Sequence, residues 1–325
     1  MAKIQSVLGV IDSSDLGPTL VHEHILIANH AMRKAFPNWV VREEFVPYAV
    51  EKLNRAKRSG IKTILDLTPI NLGRDIDVIH EVADKAEMQV IASTGFYHFE
   101  EWWIRDKNVD WLAELLINEI ENGISGTNIR AGLIKCATDM EGMTPANRHM
   151  LTAVARAHKA TGVPISTHAT VWNYIGFEQQ EVFLSEGVDI SKIVIGHCGD
   201  STNVEFIEAL IKRGSYVGMD RFGIDWMLPL KERVDTVVEL CKHGYANKMV
   251  LSCDHTAFLD YKEDQRNVTK NPWDEYKAKN LDDVEVQFSY LMEKVVPELK
   301  KNGISVSQIN QMLIDNPRRI FEGKP

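Results

Sequence analysis

Eight short apolar runs, at residues 19–22, 62–66, 89–94, 131–135, 163–167, 192–195, 215–218 and 248–252, alternate with amphipathic stretches along nearly the whole chain. No other feature of the sequence constrains the fold as strongly. A strand buried on both faces reads as a continuous apolar run, and parallel strands need a long crossover between them, most often a helix. The intervening stretches supply helical signals. Residues 48–59 are closed by Gly60, and in residues 146–161 Met150, Val154 and Ala157 recur at helical spacing before Gly162. The phrases SGIKTI, TGVPIS and EGVDISKIVI repeat one cadence of helix, glycine and strand.

Eight such units predict an α/β fold of the (β/α)8 class, a TIM barrel, as a single domain over residues 1–325 with its active site at the C-terminal ends of the strands. A doubly wound open sheet shares the alternation but carries a glycine-rich phosphate loop after an early strand. Residues 69–74 hold only Gly73 and no Walker lysine, and residues 123–126 read as a helix-to-strand turn. The missing dinucleotide fingerprint also argues against an oxidoreductase.

Composition narrows the partners. A formal charge of −9 disfavours nucleic acid, and hence a DNA-repair barrel, as well as an anionic membrane. Cys136, Cys198, Cys241 and Cys253 form no CxxC, which leaves neither a disulfide framework nor a cysteine zinc site and suits a reducing compartment. The N-terminal stretch has no apolar run of leader length, and no segment approaches the ~18 apolar residues of a membrane span. The expectation is a soluble cytoplasmic protein acting on a small molecule.

Two connections stand out by length. Residues 98–111 are rich in Trp and Glu, and residues 254–283 contain Pro272, Trp273 and Tyr276. In a barrel, loops after strands line the mouth, so both are candidate pocket walls, with surface decoration or an oligomer contact as the alternative.

The polar residues at the ends of the runs carry the chemistry. In His22-Glu23-His24, strand alternation sends both imidazoles to one face, where they can reach one metal, although paired histidines also occur as hydrogen-bonded core residues. His168 follows the fifth run, His197 the sixth and Asp254 the eighth. Together they offer nitrogen and oxygen ligands suited to zinc or related divalent ions. Five ligands exceed the need of one tetrahedral ion, and two ions ~3.5–4 Å apart need a bridge. Lys135 ends the fourth run and is placed to supply one. Its free ammonium would repel two cations, whereas reaction with carbon dioxide gives an anionic carbamate. The alternative is a lysine whose head reaches solvent at the rim.

Beyond these residues, the chain resembles the phosphotriesterase family of the amidohydrolase superfamily over nearly its whole length. The resemblance is carried by the pattern GxxxxxxLGxTLxHEH at residues 9–24, with Pro18 inside it, by Lys135, by the THA, GHCGD and CDH segments in order, and by NPRRIF at residues 316–321. It implies that His22, His24 and Asp254 hold a more buried ion and His168 and His197 a more exposed one. Carboxylated Lys135 and a hydroxide would bridge the two. Zinc is the first expectation, with cobalt, iron or manganese as alternatives, and a homodimer is the expected assembly. Asp200 either orients an imidazole or is an ordinary loop carboxylate.

The implied chemistry is attack by a metal-bridging hydroxide, with Asp254 managing the proton; a GxSxG nucleophile elbow is absent. Tyr97 and Arg221 match a tyrosine and an arginine of the family's lactonase branch, and the connection at residues 220–229 is short, as in that branch. Tyr97 would touch the lactone ring and Arg221 organise the neighbouring loops, or Arg221 would serve only as a brace. Phe222, Trp226, Phe258 and Trp273, with Trp102 and Trp103, could line an apolar channel for an acyl tail or simply pack. Residues 98–103 and 253–255 depart from many lactonases. The expected activity is opening of N-acyl-homoserine lactones, hence quorum quenching, or of other γ/δ-lactones, with promiscuous hydrolysis of organophosphate triesters. A dedicated phosphotriesterase or carboxylesterase using the same metals is the alternative, followed by a catalytically silent barrel that binds a partner.

Overall fold

The structure, a computed structural model, describes residues 1–260, 272–273 and 287–323. Its chain opens with an antiparallel hairpin, β1 (Lys3–Ser6) and β2 (Gly9–Asp12). The barrel strands follow as β3 (Thr19–Ile27), β4 (Thr63–Asp66), β5 (Gln89–Gly95), β6 (Leu133–Thr138), β7 (Ile165–Ala169), β8 (Ile193–Ile195), β9 (Tyr216–Met219), β10 (Met249–Leu251) and β11 (Thr256–Leu259). These nine pair in parallel in the order β10-β9-β8-β7-β6-β5-β4-β3-β11.

The two ends of that sheet belong to one interrupted strand. β10 pairs with β9, residues 252–255 step inward, and β11 pairs with β3. Across the step, Asp254 N donates to His22 O at 3.0 Å and His24 N donates to His255 O at 2.9 Å, which closes the sheet into a (β/α)8 barrel. Helices such as Arg42–Arg58, Val109–Glu121 and Pro145–Thr161 occupy the crossovers, and their apolar faces pack on the outside of the strands. No helix of the described residues is long and apolar enough to cross a membrane.

Inside the barrel, Val21, Leu65, Leu133, Val194, Tyr216 and Val250 fill the end where the strands begin, together with Ile320 and Phe321 of the last helix, Asn316–Glu322. Asn316 anchors that helix by donating from Nδ2 to Ala246 O at 2.8 Å and to Met249 O at 2.6 Å, which gives the NPRRIF segment a physical role as the barrel's floor. The hairpin docks on the same end, where Val7 N donates to Val90 O and Ser6 Oγ to Gln89 Oε1.

Each expected run coincides with a strand, but several boundaries move. β3 continues to Ile27, so His22 and His24 lie inside it; likewise Lys135 lies inside β6 and His168 inside β7. The polar side chains that made these positions look like strand ends instead face the barrel axis near its open end. β11 and the hairpin were not anticipated. In the 254–283 connection, residues 254–260 continue the barrel wall, while Tyr276 and the remainder, apart from Pro272 and Trp273, lie outside the described residues.

Candidate metal centre

The structure gathers the six residues singled out for metal binding at one end of the barrel. Lys135 Nζ is 2.7 Å from His22 Nε2. His24 Nε2 lies 3.2 Å and His22 Nε2 3.6 Å from Asp254 Oδ1, so His22, His24 and Asp254 aim ligand atoms at one small volume. A second focus forms where His168 Nδ1 and His197 Nε2 face each other at 2.9 Å. Asp254 Oδ2 is 3.9 Å from His197 Nε2, so this carboxylate looks toward both foci.

Each imidazole is held from its other nitrogen. Asp220, fully buried after β9, accepts His22 Nδ1 on one oxygen at 2.9 Å; its other oxygen accepts His197 Nδ1 at 3.0 Å and His197 N at 2.8 Å. Thr68 Oγ1 pairs with His24 Nδ1 at 2.9 Å, and Asp139 Oδ2 faces His168 Nε2 at 3.2 Å. His22, His197 and Asp220 also form a cluster of metal-ligand type. Both Asp220 oxygens are already engaged by ring nitrogens, so the carboxylate orients the histidines.

This arrangement decides whether the residues fit cations. Ionised Asp220 and Asp139 accept only, so His197 Nδ1 and His168 Nε2 must carry the protons and the two nitrogens that face each other both present lone pairs. Two neutral imidazoles cannot satisfy that contact with each other, and a cation coordinated by both would. The same logic leaves His22 Nε2 as an acceptor facing Lys135. The donor set of neutral imidazoles and carboxylate suits zinc-like divalent ions.

Burial and neighbouring charge tune the groups. Burial, reinforced by Lys135, lowers His22 to about 4, burial lowers His168 to about 4, and burial with Arg221 beside it holds His197 well below the ordinary range. These imidazoles stay neutral near pH 7 and free to ligate. Burial also pulls the Lys135 amine down to about 8, against the pull of Asp254 and Asp220. For Asp254 burial acts upward, but His22, Arg221 and His197 hold its carboxyl well below the usual range. The hydrogen bond to His168 brings Asp139 down to about 2.

Two of the site residues sit in strained backbone. His197 has φ 61° and Asp254 has φ 54°, the left-handed region that non-glycine residues seldom occupy. Glu23 stabilises the Asp254 turn. Its buried carboxylate accepts Ser252 Oγ at 2.7 Å, Cys253 N at 2.8 Å and His255 N at 2.7 Å. The residue between the two histidines therefore clamps the segment that carries Asp254.

Arg221 reaches the centre directly. Its Nε donates to Asp254 Oδ2 at 2.8 Å and its Nη1 to Asp200 Oδ2 at 2.9 Å. Arg233 Nη1 holds the other Asp200 oxygen at 2.7 Å. Asp200 thus grips two guanidinium groups, where the sequence suggested an imidazole partner or an ordinary loop carboxylate. The Tyr97 ring packs edge-on against His168 at 5.3 Å between centroids. Of the aromatic residues read as pocket candidates, Trp226 and Trp102 are exposed and Trp103 packs on Phe96. Phe222, Phe258 and Trp273 are buried. Phe258 and Trp273 pack edge-on against Phe45 of the outer helix, and Trp273 Nε1 donates to Glu44, which is the packing role that the sequence left open beside a channel.

Sequence reasoning missed Asp220, Asp139, Glu23 and Thr68. Glu23 had a legible signal, since a carboxylate between residues of an apolar strand must find partners when buried. Asp220 immediately precedes Arg221, and Asp139 follows Lys135 by four positions, but neither spacing reveals which imidazole it meets.

A family model described as the phosphotriesterase family matches residues 2–321. A phosphotriesterase homology protein of Mycobacterium tuberculosis is 40% identical over 333 aligned residues, covering 99% of this chain and 98% of the relative. An aryldialkylphosphatase of Saccharolobus solfataricus is 36% identical, with 96% of each chain covered. Among solved structures, that of the phosphotriesterase from Mycobacterium tuberculosis superposes with a TM-score of 0.89 at 39% identity, covering 98% of both chains.

Proposed function

Because the chain belongs to the phosphotriesterase family and is a metal-dependent hydrolase, we propose that it is a binuclear lactonase that opens N-acyl-homoserine lactones or other γ/δ-lactones. The observation that carries the binuclear part is the 2.9 Å approach of His168 Nδ1 to His197 Nε2, set beside the separate focus of His22, His24 and Asp254. The lactonase part is supported by Arg221 bound to Asp254 and by Tyr97 against His168, the two positions that match the lactonase branch.

In this reading His22, His24 and Asp254 would hold one ion and His168 and His197 the other, and Lys135, as its carbamate, would supply an anionic oxygen ligand beside them. Lys135 is suited to that modification because only a neutral amine adds carbon dioxide, and burial has brought its pKa to about 8. Two divalent ions, zinc first and cobalt, iron or manganese as alternatives, supply Lewis acidity that brings a water pKa toward neutrality and polarises the electrophilic oxygen.

The remaining work falls to the side chains. The acyl carbon gains a bond to the oxygen of water and loses its bond to the ring oxygen, and one proton must travel from the water to the departing alkoxide. Asp254 would accept that proton and return it, a role supported by Oδ1 facing the His22 and His24 nitrogens. Arg221, pinned by Asp254 and Asp200, keeps Asp254 ionised and fixes its plane. Tyr97, whose ring lies edge-on to His168, would contact the lactone ring there. The product is the tethered hydroxy acid.

A second reading, hydrolysis of aryl dialkyl phosphate triesters as the principal activity, is favoured by the relative named aryldialkylphosphatase and uses the same centre. The proposal also includes a cytoplasmic location, consistent with four buried free cysteines, and the homodimer that the family resemblance implies. The deciding experiment compares a lactone panel, including several acyl-homoserine chain lengths, with an aryl dialkyl phosphate, using metal-loaded and chelated enzyme and Asp254→Asn. A lactone kcat/KM at least about tenfold above the triester supports the lactonase, a difference of ~1.4 kcal/mol in transition-state stabilisation. The reverse order overturns it in favour of the triesterase. Asp254→Asn should lower turnover by ~10²–10⁴ while the protein stays folded.

A further inference from the structure

Outside the ligand set, one carboxylate oxygen bonds one histidine and lies close to a second. Asp139 lies just past the end of β6, and its Oδ2 is 3.2 Å from His168 Nε2 and 3.5 Å from His98 Nε2. The rest of Asp139 is tied to its own loop. Oδ1 accepts Met140 N at 2.8 Å, and the backbone oxygen accepts Gly142 N at 2.9 Å and Asn173 Nδ2 at 3.2 Å. The carboxylate is therefore held with Oδ2 aimed at His168. His98, which follows β5, lies nearly parallel to His168 at a centroid distance of 6.0 Å, and its Nδ1 is 3.6 Å from Glu141 Oε2.

Resting on the binuclear reading above, we propose that Asp139 is a positioning residue for the more exposed ion: it sets His168 as an Nδ1 ligand, and His98 braces the same carboxylate oxygen. An imidazole can ligate through either nitrogen, and which one does so is set by the partner of the other. With Asp139 accepting from Nε2, the lone pair on Nδ1 is directed at His197 Nε2, 2.9 Å away. Without Asp139, His168 can change tautomer or rotate its ring, and the second focus loses one of its two imidazoles.

The support is asymmetric, and the asymmetry makes the proposal testable. Asp220 holds one imidazole at each focus, so its loss would weaken both. His24 has its own partner in Thr68. Asp139 touches only His168 among the ligands, so its loss should weaken one binding step and spare the other. A residue that merely braced the loop would move neither step, or both together through the fold.

The test is an equilibrium titration of the chelator-stripped full-length chain with Co²⁺, reading stoichiometry by competition with a chromophoric chelator and the second equivalent by its visible absorption. Wild type should bind two ions in two steps. Asp139→Ala should weaken the second step by ~10–100-fold, the usual cost of losing an outer hydrogen-bond partner of a ligand, and alter the spectrum of that equivalent while the first step stays unchanged. His98→Phe, which keeps a ring and removes both nitrogens, should weaken the same step by a smaller factor. Unfolding midpoints of the stripped proteins check that the variants fold, and Asp139→Leu, which keeps the branched shape but offers no acceptor, takes the place of an alanine variant that does not. Two wild-type steps in the Asp139 variant, or equal weakening of both, overturns the proposal. A wild-type chain that binds fewer than two ions overturns the binuclear reading itself, an outcome seen before any variant is compared.

Discussion

Arg221 Nε donates to Asp254 Oδ2 across 2.8 Å, while Asp254 Oδ1 lies 3.2 Å from His24 Nε2, so one carboxylate is divided between a guanidinium and the ligand cluster. Removing the guanidinium leaves a buried acid short of a partner. A hydrogen bond to a charged group contributes ~1.5–3 kcal/mol, so Arg221→Ala should lower lactone kcat by about 10–100-fold. Metal content should remain at the wild-type level. Arg221→Lys should recover little, because a point ammonium cannot reach Asp254 and Asp200 together as the planar fork does. Steady-state kinetics with metal analysis on the same preparations checks both expectations; parallel loss of metal would place Arg221 among the supports of the centre.

Gly218 lies against the carboxylate that orients two histidines. A methyl group there would collide with Asp220 Oδ2 and crowd the Gly196 Cα, 3.2 Å away. The acid cannot retreat without releasing His22 or His197. Gly218→Ala should therefore reduce metal occupancy and activity together, with an effect larger than its added volume suggests. Metal content per chain after dialysis against a weak chelator is the measurement; full occupancy would mean that Asp220 has another position from which to hold both rings.

Lys135 gives a prediction based on cofactor removal. Its amine is buried, and its pKa has fallen to about 8. If the amine becomes a carbamate, stripped enzyme given metal in buffer freed of carbon dioxide should recover little activity, and bicarbonate should restore it. Lys135→Met, which keeps the stem and removes the amine, should not respond to bicarbonate. Equal recovery with and without bicarbonate would show that Lys135 acts unmodified.

A histidine away from the centre should contribute to acid sensitivity. His158 is buried near the end of the helix Pro145–Thr161, with Nδ1 2.7 Å from Val163 O, and burial lowers its pKa below 6.5. As pH falls below about 6.5, the unfolded chain takes up a proton at this position before the folded chain does. The stability present above that pH is lost progressively as pH falls toward the folded value. His158→Gln should show a smaller drop in its urea midpoint between about pH 7.5 and 5.5 than wild type. Identical slopes would assign acid sensitivity to other groups.

Much of the barrel was legible because burial on both faces writes each strand as an apolar run. The boundaries were harder to place, since His22, His24, Lys135 and His168 interrupt that pattern inside strands, His24, Lys135 and His168 in regular pairs and His22 at an irregularity between Leu20 and Glu23. β11 was read as loop because Asp254 and His255 break the apolar run between it and β10. All six expected metal-binding residues converge, as their places near strand ends implied. Their partners were not legible. Asp220 meets His22 across 198 positions of sequence, and only barrel closure brings the two together. The aromatic residues show the opposite difficulty: composition identifies a Trp or Phe but not whether it faces solvent or, like Trp273, an outer helix.

The interrupted eighth strand ties the life of the site to that of the fold. Its step contains Asp254, secured to Glu23 and to the backbone of His22, and this same step joins the last strand to the first. A nascent chain has no complete ligand cluster until its far end has returned to its beginning. Metal capture at that focus should thus report chain completion: a barrel truncated before Asp254 keeps His168 and His197 but lacks the focus that Asp254 completes, and only the finished circuit would gain the stability of an ion held there.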